Sequence, residues 1–280
     1  MLALLPFPIL YGISNGCYWL FYKGFGYRKK VVFSNIRNAF PNKSSNEIQI
    51  IADRFYRSFF DQWIETVKLL TLSKQSINKR IAGNWEVFSN ISNTKIYALL
   101  GHRFNWEWGN IACQINSNQQ LAAVYLPIAN KAVDKLLLKI RSRMHSILVP
   151  ANHLHGALKQ LNNQEHILCF LADQTPANLD IAKWYNFLHT PAPFLFTPEK
   201  AARRAAAAVV YASIYKVKRG YYKVELELLS ENAATTKNGF ITQLYVRKLS
   251  TEINEQPENW LWSHRRWKRQ PEAHTIIHES

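Results

Sequence analysis

The chain lacks several features that would narrow its chemistry quickly. Its three cysteines, Cys17, Cys113 and Cys169, lie far apart without paired spacing, so they form no C-x-x-C redox or zinc motif. Free, mostly buried thiols in a reducing compartment are expected. Ser89, Ser92 and Ser142 all lack a G-x-S-x-G elbow, the strained turn that presents a hydrolase nucleophile. Internal repeats, low-complexity tracts and long linkers are also missing, so most of the 280 residues read as one domain. Acidic residues are scarce: 19 Asp and Glu stand against 35 Lys and Arg, a formal charge of +16. A field of that sign favours nucleic acid, anionic lipid head groups or a small acidic protein.

Charge of either sign is absent from Met1 to Tyr22, after which come Lys23, Arg28, Lys29 and Lys30. The run approaches bilayer length, although Pro6, Pro8 and Ser14-Asn15-Gly16 interrupt an ideal helix. A cleaved signal peptide fits poorly, because the basic residues follow the apolar run and no small-x-small site closes it. Residues 1–30 are therefore expected to form a membrane-anchoring helical segment, spanning the bilayer or lying at its surface, ahead of a domain over 31–280. The basic flank puts that domain on the cytoplasmic side.

Residues 43–70, KSSNEIQIIADRFYRSFFDQWIETVKLL, open with a Ser44–Glu47 capping box and repeat Ile51, Phe55, Phe59 and Trp63 every fourth position. A long amphipathic helix is expected. Strand-like segments follow at 95–100, 122–128, 166–172, 207–215 and 221–229, alternating with helix-like ones near 106–117, 130–144, 153–163, 197–206 and 238–255. Such alternation predicts an α/β fold, a single domain with a mostly parallel central sheet flanked by helices. Ligands in open sheets of this kind bind beyond the carboxyl ends of strands. Two strands end there on reactive residues, one before Gly101-His102 and one before Asp173-Gln174.

In LLGHRFNWEWGN (99–110), Gly101 permits a tight strand exit, Asn105 is a good helix N-cap, and Glu107 falls in the first helical turn. His102 can fold back to Glu107, donating one ring nitrogen and keeping the other as a base. Spacing alone is weak, since His274 also precedes a glutamate, Glu279, by five residues. On their own, Asp173 reads equally as a turn residue, Arg141 as part of a solvated helix face and Asn105 as a cap. With no nucleophile adjacent, a base at His102 points to direct transfer onto a hydroxyl that the substrate supplies.

GHRFNWEWG resembles the G-H-x-x-N-W-E signature of the late acyltransferases of lipid A biosynthesis, within the lysophospholipid acyltransferase superfamily. NIRNAFPNKSSNEI, LADQTP and PENWLWSHRRWKR are similar to further blocks of that family, in the same order along nearly the whole chain. The resemblance implies His102 as general base, Glu107 as its orienter, and Arg141 (or Arg143) steadying the thioester carbonyl or oxyanion. Asp173 and Asn105 complete the implied site. It implies a bacterial inner-membrane enzyme, at the cytoplasmic face, moving a fatty acyl group from acyl carrier protein or acyl-CoA to a lipid hydroxyl. No metal, cofactor or nucleic acid is expected.

Two departures stand out. Leu188-His189 replaces the family's Phe-Gly in NFLHTPAPF, and the F-P-E-G-T block of glycerol-phosphate acyltransferases is absent. The second argues against a lysophosphatidate acceptor but leaves lipid A precursors, aminolipids and mannosylated lipids open. In WLWSHRRWKR, indoles alternate with Arg265, Arg266, Lys268 and Arg269. That run could stack single-stranded bases, but beside an apolar N-terminus it reads more simply as a bilayer contact. The rival readings are a thioesterase or lipid hydrolase, and a non-catalytic nucleic-acid-binding protein.

Overall fold

The structure, a computed structural model, describes residues 2–161 and 164–279. Helix α1 (Phe7–Cys17) runs into a π-helical stretch, Tyr18–Gly24, and then α2 (Lys29–Ala39). α3 (Ser45–Lys68) starts on the expected capping box, with Ser44 and Glu47 each accepting the other's backbone N–H. Its residues Ile51, Phe55 and Phe59 are buried, whereas Trp63 stays exposed.

No described helix is long and apolar enough to cross a membrane. The segment expected as an anchor is fastened to α3 by a polar seam. The hydroxyls of Tyr11, Ser14 and Tyr18 donate to Glu65, Asp61 and Asp53 at 2.9, 2.7 and 2.5 Å. Gln49 donates to the Tyr22 hydroxyl at 2.7 Å. These hydroxyls recur every three or four residues, so they line one face. On other faces Ile9, Trp19, Leu20, Phe21 and Phe25 remain exposed.

After α4 (Lys74–Asn78), β1 (Ile81–Gly83) and α5 (Glu86–Ser89), the chain alternates as expected. The run is β2 (Lys95–Leu100), α6 (Trp106–Asn116), β3 (Gln120–Tyr125), α7 (Lys131–Arg141), β4 (Ile147–Pro150), α8 (Leu154–Leu161) and β5 (His166–Leu171). The last two positions of the helix read at 153–163 lie outside the described residues. A hairpin of β6 (Ala182–Phe187) and β7 (Thr190–Leu195) follows, then α9 (Thr197–Arg204), β8 (Ala208–Lys218), β9 (Tyr221–Ser230), α10 (Phe240–Glu255) and β10 (Ile277–His278).

The main sheet has the order β1-β9-β8-β2-β5-β3-β4 and is parallel except for the β8–β9 hairpin. β2 is central and covered on both sides, which is why KIYALL reads as an unbroken apolar run. Tyr97 and Leu99 join a core with α3, α10 and the C-terminal tryptophans, while Ile96, Ala98 and Leu100 join one with α6 and α7.

A second sheet, β10-β6-β7, was not expected. Its β6–β7 turn is Leu188-His189, the pair that departs from the family pattern. Both residues have positive φ, 49° and 67°, in a two-residue loop between Phe187 and Thr190. Such a loop favours glycine or asparagine. His189 is exposed, so His189→Gly should relieve backbone strain at little packing cost, for a net gain of about 0.5–1 kcal/mol. Thermal unfolding should shift upward by one or two degrees (about 2 °C at most for a chain of this size). An unchanged or lower midpoint would mean that the imidazole makes a compensating contact.

Candidate active site

Strand pairing builds the site. β2 and β5 run parallel in a register that joins Lys95 to His166 and Leu100 to Leu171. Continued two residues past the strand ends, it sets His102 beside Asp173. Gly101 leaves room there for Leu249, whose Cδ1 methyl would lie 2.6 Å from an added Cβ and would have to shift. The His102 backbone N–H donates to Asp173 Oδ2 at 2.8 Å, and its Nδ1 lies 2.5 Å from Oδ1. Trp260 Nε1 donates to Oδ2 at 2.7 Å.

Burial by itself would raise the Asp173 carboxyl. The neighbouring imidazole and these hydrogen bonds outweigh burial and hold it down at about 2. An ionised carboxylate only accepts, so the ring proton belongs on Nδ1. Nε2 is then the acceptor, with the Gln174 amide nitrogen 3.2 Å away. The Trp106 ring meets the imidazole edge-on, 5.0 Å between centroids.

The expected His102–Glu107 hydrogen bond is therefore corrected. Glu107 lies in the first turn of α6 and faces the end of α7, where Arg141 takes its carboxylate with two N–H groups. Arg141 Nη2 donates to Oε1 at 2.5 Å and Nε to Oε2 at 2.9 Å. Trp106 Nε1 adds a third donor at 3.0 Å. Burial would lower the Arg141 guanidinium, but the bonds to Glu107 carry it above its ordinary value. Arg143, the alternative to Arg141, donates to the Leu69 carbonyl and takes no part in this pair.

Asn105 occupies the N-cap position of α6, yet its side chain caps nothing. Its Nδ2 donates to the buried carboxylate of Glu65 at 3.0 Å. His274, by contrast, is exposed beside Glu272 and far from any such setting.

The tryptophan-arginine tail also requires correction. Trp260, Trp262, Trp267 and Arg266 are buried, leaving Arg265, Lys268 and Arg269 as its exposed cations. Arg266 Nη2 donates to the Pro193 carbonyl at 2.8 Å and its guanidinium stacks 4.3 Å from the Phe194 ring, while burial pulls it down to about 10. His264 accepts from the Thr175 N–H at 3.2 Å, and burial lowers it to about 4, so it is neutral at physiological pH. Trp260, His264 and Trp106 are site neighbours to which the sequence reading assigned no role there. The block PENWLWSHRRWKR held the signal: its Trp260 indole closes on Asp173, and Trp262 and Trp267 pack against Trp260.

A histidine oriented by a buried carboxylate, at the carboxyl ends of parallel strands, is an arrangement able to serve base-assisted group transfer. The chain belongs to the bacterial lipid A biosynthesis acyltransferase family, whose family model matches residues 1–269. It is thus an acyltransferase. Among solved structures it is similar to the 1-acyl-sn-glycerophosphate (LPA) acyltransferase, PlsC, from Thermotoga maritima. That likeness is 13% identity over 88% of this chain and 94% of the other, with a TM-score of 0.39. Comparison with curated proteins gave no match.

Proposed function

We propose that this acyltransferase moves a fatty acyl group from an acyl thioester, carried by acyl carrier protein, to a hydroxyl of a lipid A precursor or a related lipid. The observation that carries the reading is His102, held on Nδ1 by ionised Asp173 with Nε2 as acceptor. No hydroxyl or thiol of the chain is among its hydrogen-bond partners in the described residues. The acceptor lipid therefore supplies the nucleophile.

Its hydroxyl displaces Gln174 from Nε2 and passes its proton there as oxygen attacks the thioester carbonyl. The tetrahedral oxyanion collapses, the C–S bond breaks, and the imidazolium returns the proton to the departing thiolate. Asp173 holds the tautomer and offsets the transient imidazolium charge. Arg141, with Nη1 not engaged by Glu107, is the cation assigned to the thioester carbonyl oxygen. Transfer measured by mass spectrometry with carrier-bound donor and purified acceptor lipids tests this directly. Hydrolysis at the same rate with and without acceptor would overturn it in favour of a thioesterase.

The proposed setting is the cytoplasmic face of the bacterial inner membrane, reached by interfacial seating rather than by a span. Support comes from the exposed Trp19, Leu20, Phe21 and Phe25, next to Lys23 and Arg28. Apolar side chains beside cations suit a helix lying in the head-group plane. Trp19→Ser with Phe25→Ser should reduce co-flotation with lipid vesicles while leaving the α3 seam intact. Unchanged flotation would refute the assignment.

The carrier is favoured over acyl-CoA on charge, since a body of +16 attracts an acidic protein over long range. Rates at limiting carrier-bound donor should fall as salt rises through the physiological range, where screening shortens to about 8 Å. Acyl-CoA should respond less. Carrier-dependent rates that stay flat would remove this support.

A further inference from the structure

The most enclosed acid of the chain is Glu65, which stands apart from the His102–Asp173 and Glu107–Arg141 pairs. Its side chain is fully buried near the end of α3, and no salt bridge among the described residues neutralises it. Three donors converge on it from three parts of the chain. Tyr11 of α1 donates to Oε1 at 2.9 Å, while Tyr222 of β9 and Asn105 donate to Oε2 at 2.6 and 3.0 Å. Its backbone carbonyl accepts from Trp108 Nε1 at 3.1 Å.

A carboxylate is the side chain suited to this place, because it can accept three hydrogen bonds without needing to donate any. Burial raises this carboxyl above its ordinary value, and an acid so placed is costly to keep, so its location needs a reason. Asn105 provides one. Its Oδ1 is buried and unpartnered, so Glu65 alone holds the side-chain amide among the described residues. The main chain of Asn105 ends the turn carrying His102 and opens α6, its carbonyl accepting from Gly109 N–H at 3.1 Å. From that pivot α6 presents Trp106 to the imidazole and Glu107 to Arg141.

We propose that Glu65 is a positioning residue for acyl transfer: it fixes Asn105 and with it the turn between His102 and Trp106, and the Tyr11 hydroxyl makes α1 part of that brace. The inference rests on His102 being the base. It gives the N-terminal helix a role in rate, separate from any contact with lipid.

Tyr11→Phe is the decisive variant, since it deletes one hydroxyl and keeps the ring against Phe7 and Arg219. Tyr18→Phe deletes a hydroxyl from the same seam, the donor to Asp53, far from Asn105. A merely structural seam would make the two variants behave alike. The brace instead predicts that Tyr11→Phe lowers kcat about fivefold or more, and Glu65→Gln about thirtyfold or more, with donor KM within twofold. Tyr18→Phe should keep the wild-type kcat.

Steady-state kinetics on detergent-solubilised protein, with His102→Ala alongside, reads all three. Wild-type kcat in Tyr11→Phe, or an equal loss in Tyr18→Phe, would overturn the brace. If Glu65→Gln does not fold, Tyr11→Phe still decides. Activity retained in His102→Ala would instead remove the reading of the site on which the brace depends.

Discussion

Replacing Asp173 by Asn is expected to lower kcat for acyl transfer about a thousandfold or more, close to the loss from removing His102 itself. An asparagine is nearly the same size, so the pocket should survive. What changes is the imidazole: an amide can present its N–H to Nδ1 and stabilise the wrong tautomer, which by analogy with other oriented histidines costs about 10³–10⁴ in rate. KM for the donor should move little, because the orienting bond lies behind the ring, away from the thioester. Near-normal turnover in Asp173→Asn would disprove the base assignment on His102.

The pH dependence has a definite sign. Asp173 is depressed in the folded state, to about 2 from an ordinary 3.8. Its contribution to stability is therefore complete above the ordinary carboxylate range and disappears as pH falls toward 2, an effect of about 2 kcal/mol. Asp173 stays ionised wherever the enzyme works near neutrality, so it should add no limb to the rate profile there. A stability loss already complete well above pH 4 would have to come from other groups.

The partner of His102 could not be read locally. KIYALL and HILCFL are legible as strands, since buried parallel strands show continuous apolar runs. Which strands adjoin is decided by packing over the whole sheet, and only the β2–β5 register brings residue 102 to residue 173. Glu107 was the nearer acid in sequence, yet in space it belongs to Arg141. The polar seam of the N-terminal segment was hidden for a related reason. Its window is apolar on average, and the meaning of Tyr11, Ser14 and Tyr18 emerges only against Glu65, Asp61 and Asp53 on α3. The tail indoles looked interfacial because cations separate them, but a buried carboxylate at Asp173 claims the Trp260 N–H. β6 and β7 escaped notice because Leu188-His189 is no hairpin turn by composition, and Pro191 and Pro193 argue against a strand.

Glu107 and Arg141 should behave as one unit, and this is the second large effect. Their side chains are mostly buried and joined by a two-pronged contact, with Trp106 as a third member. Removing one partner leaves the other charge short of compensation, which for buried pairs costs about 3–5 kcal/mol. Arg141 keeps some access to water, so about 2–3 kcal/mol is the expectation here. Glu107→Ala should also cut kcat about a hundredfold or more, because Trp106, which borders His102, and the Arg141 guanidinium both lose their anchor. Arg141→Ala should do likewise, through loss of the carbonyl contact. The double variant should then be little worse than either single one, a coupling of about 1.5 kcal/mol or more on thermal unfolding. If the two losses simply add, the pair is not a unit. Were Glu107 instead the orienter of His102, its loss would match that of Asp173→Asn in rate and show no coupling to Arg141. The cycle measured on both stability and kcat separates these outcomes in a single set of four proteins.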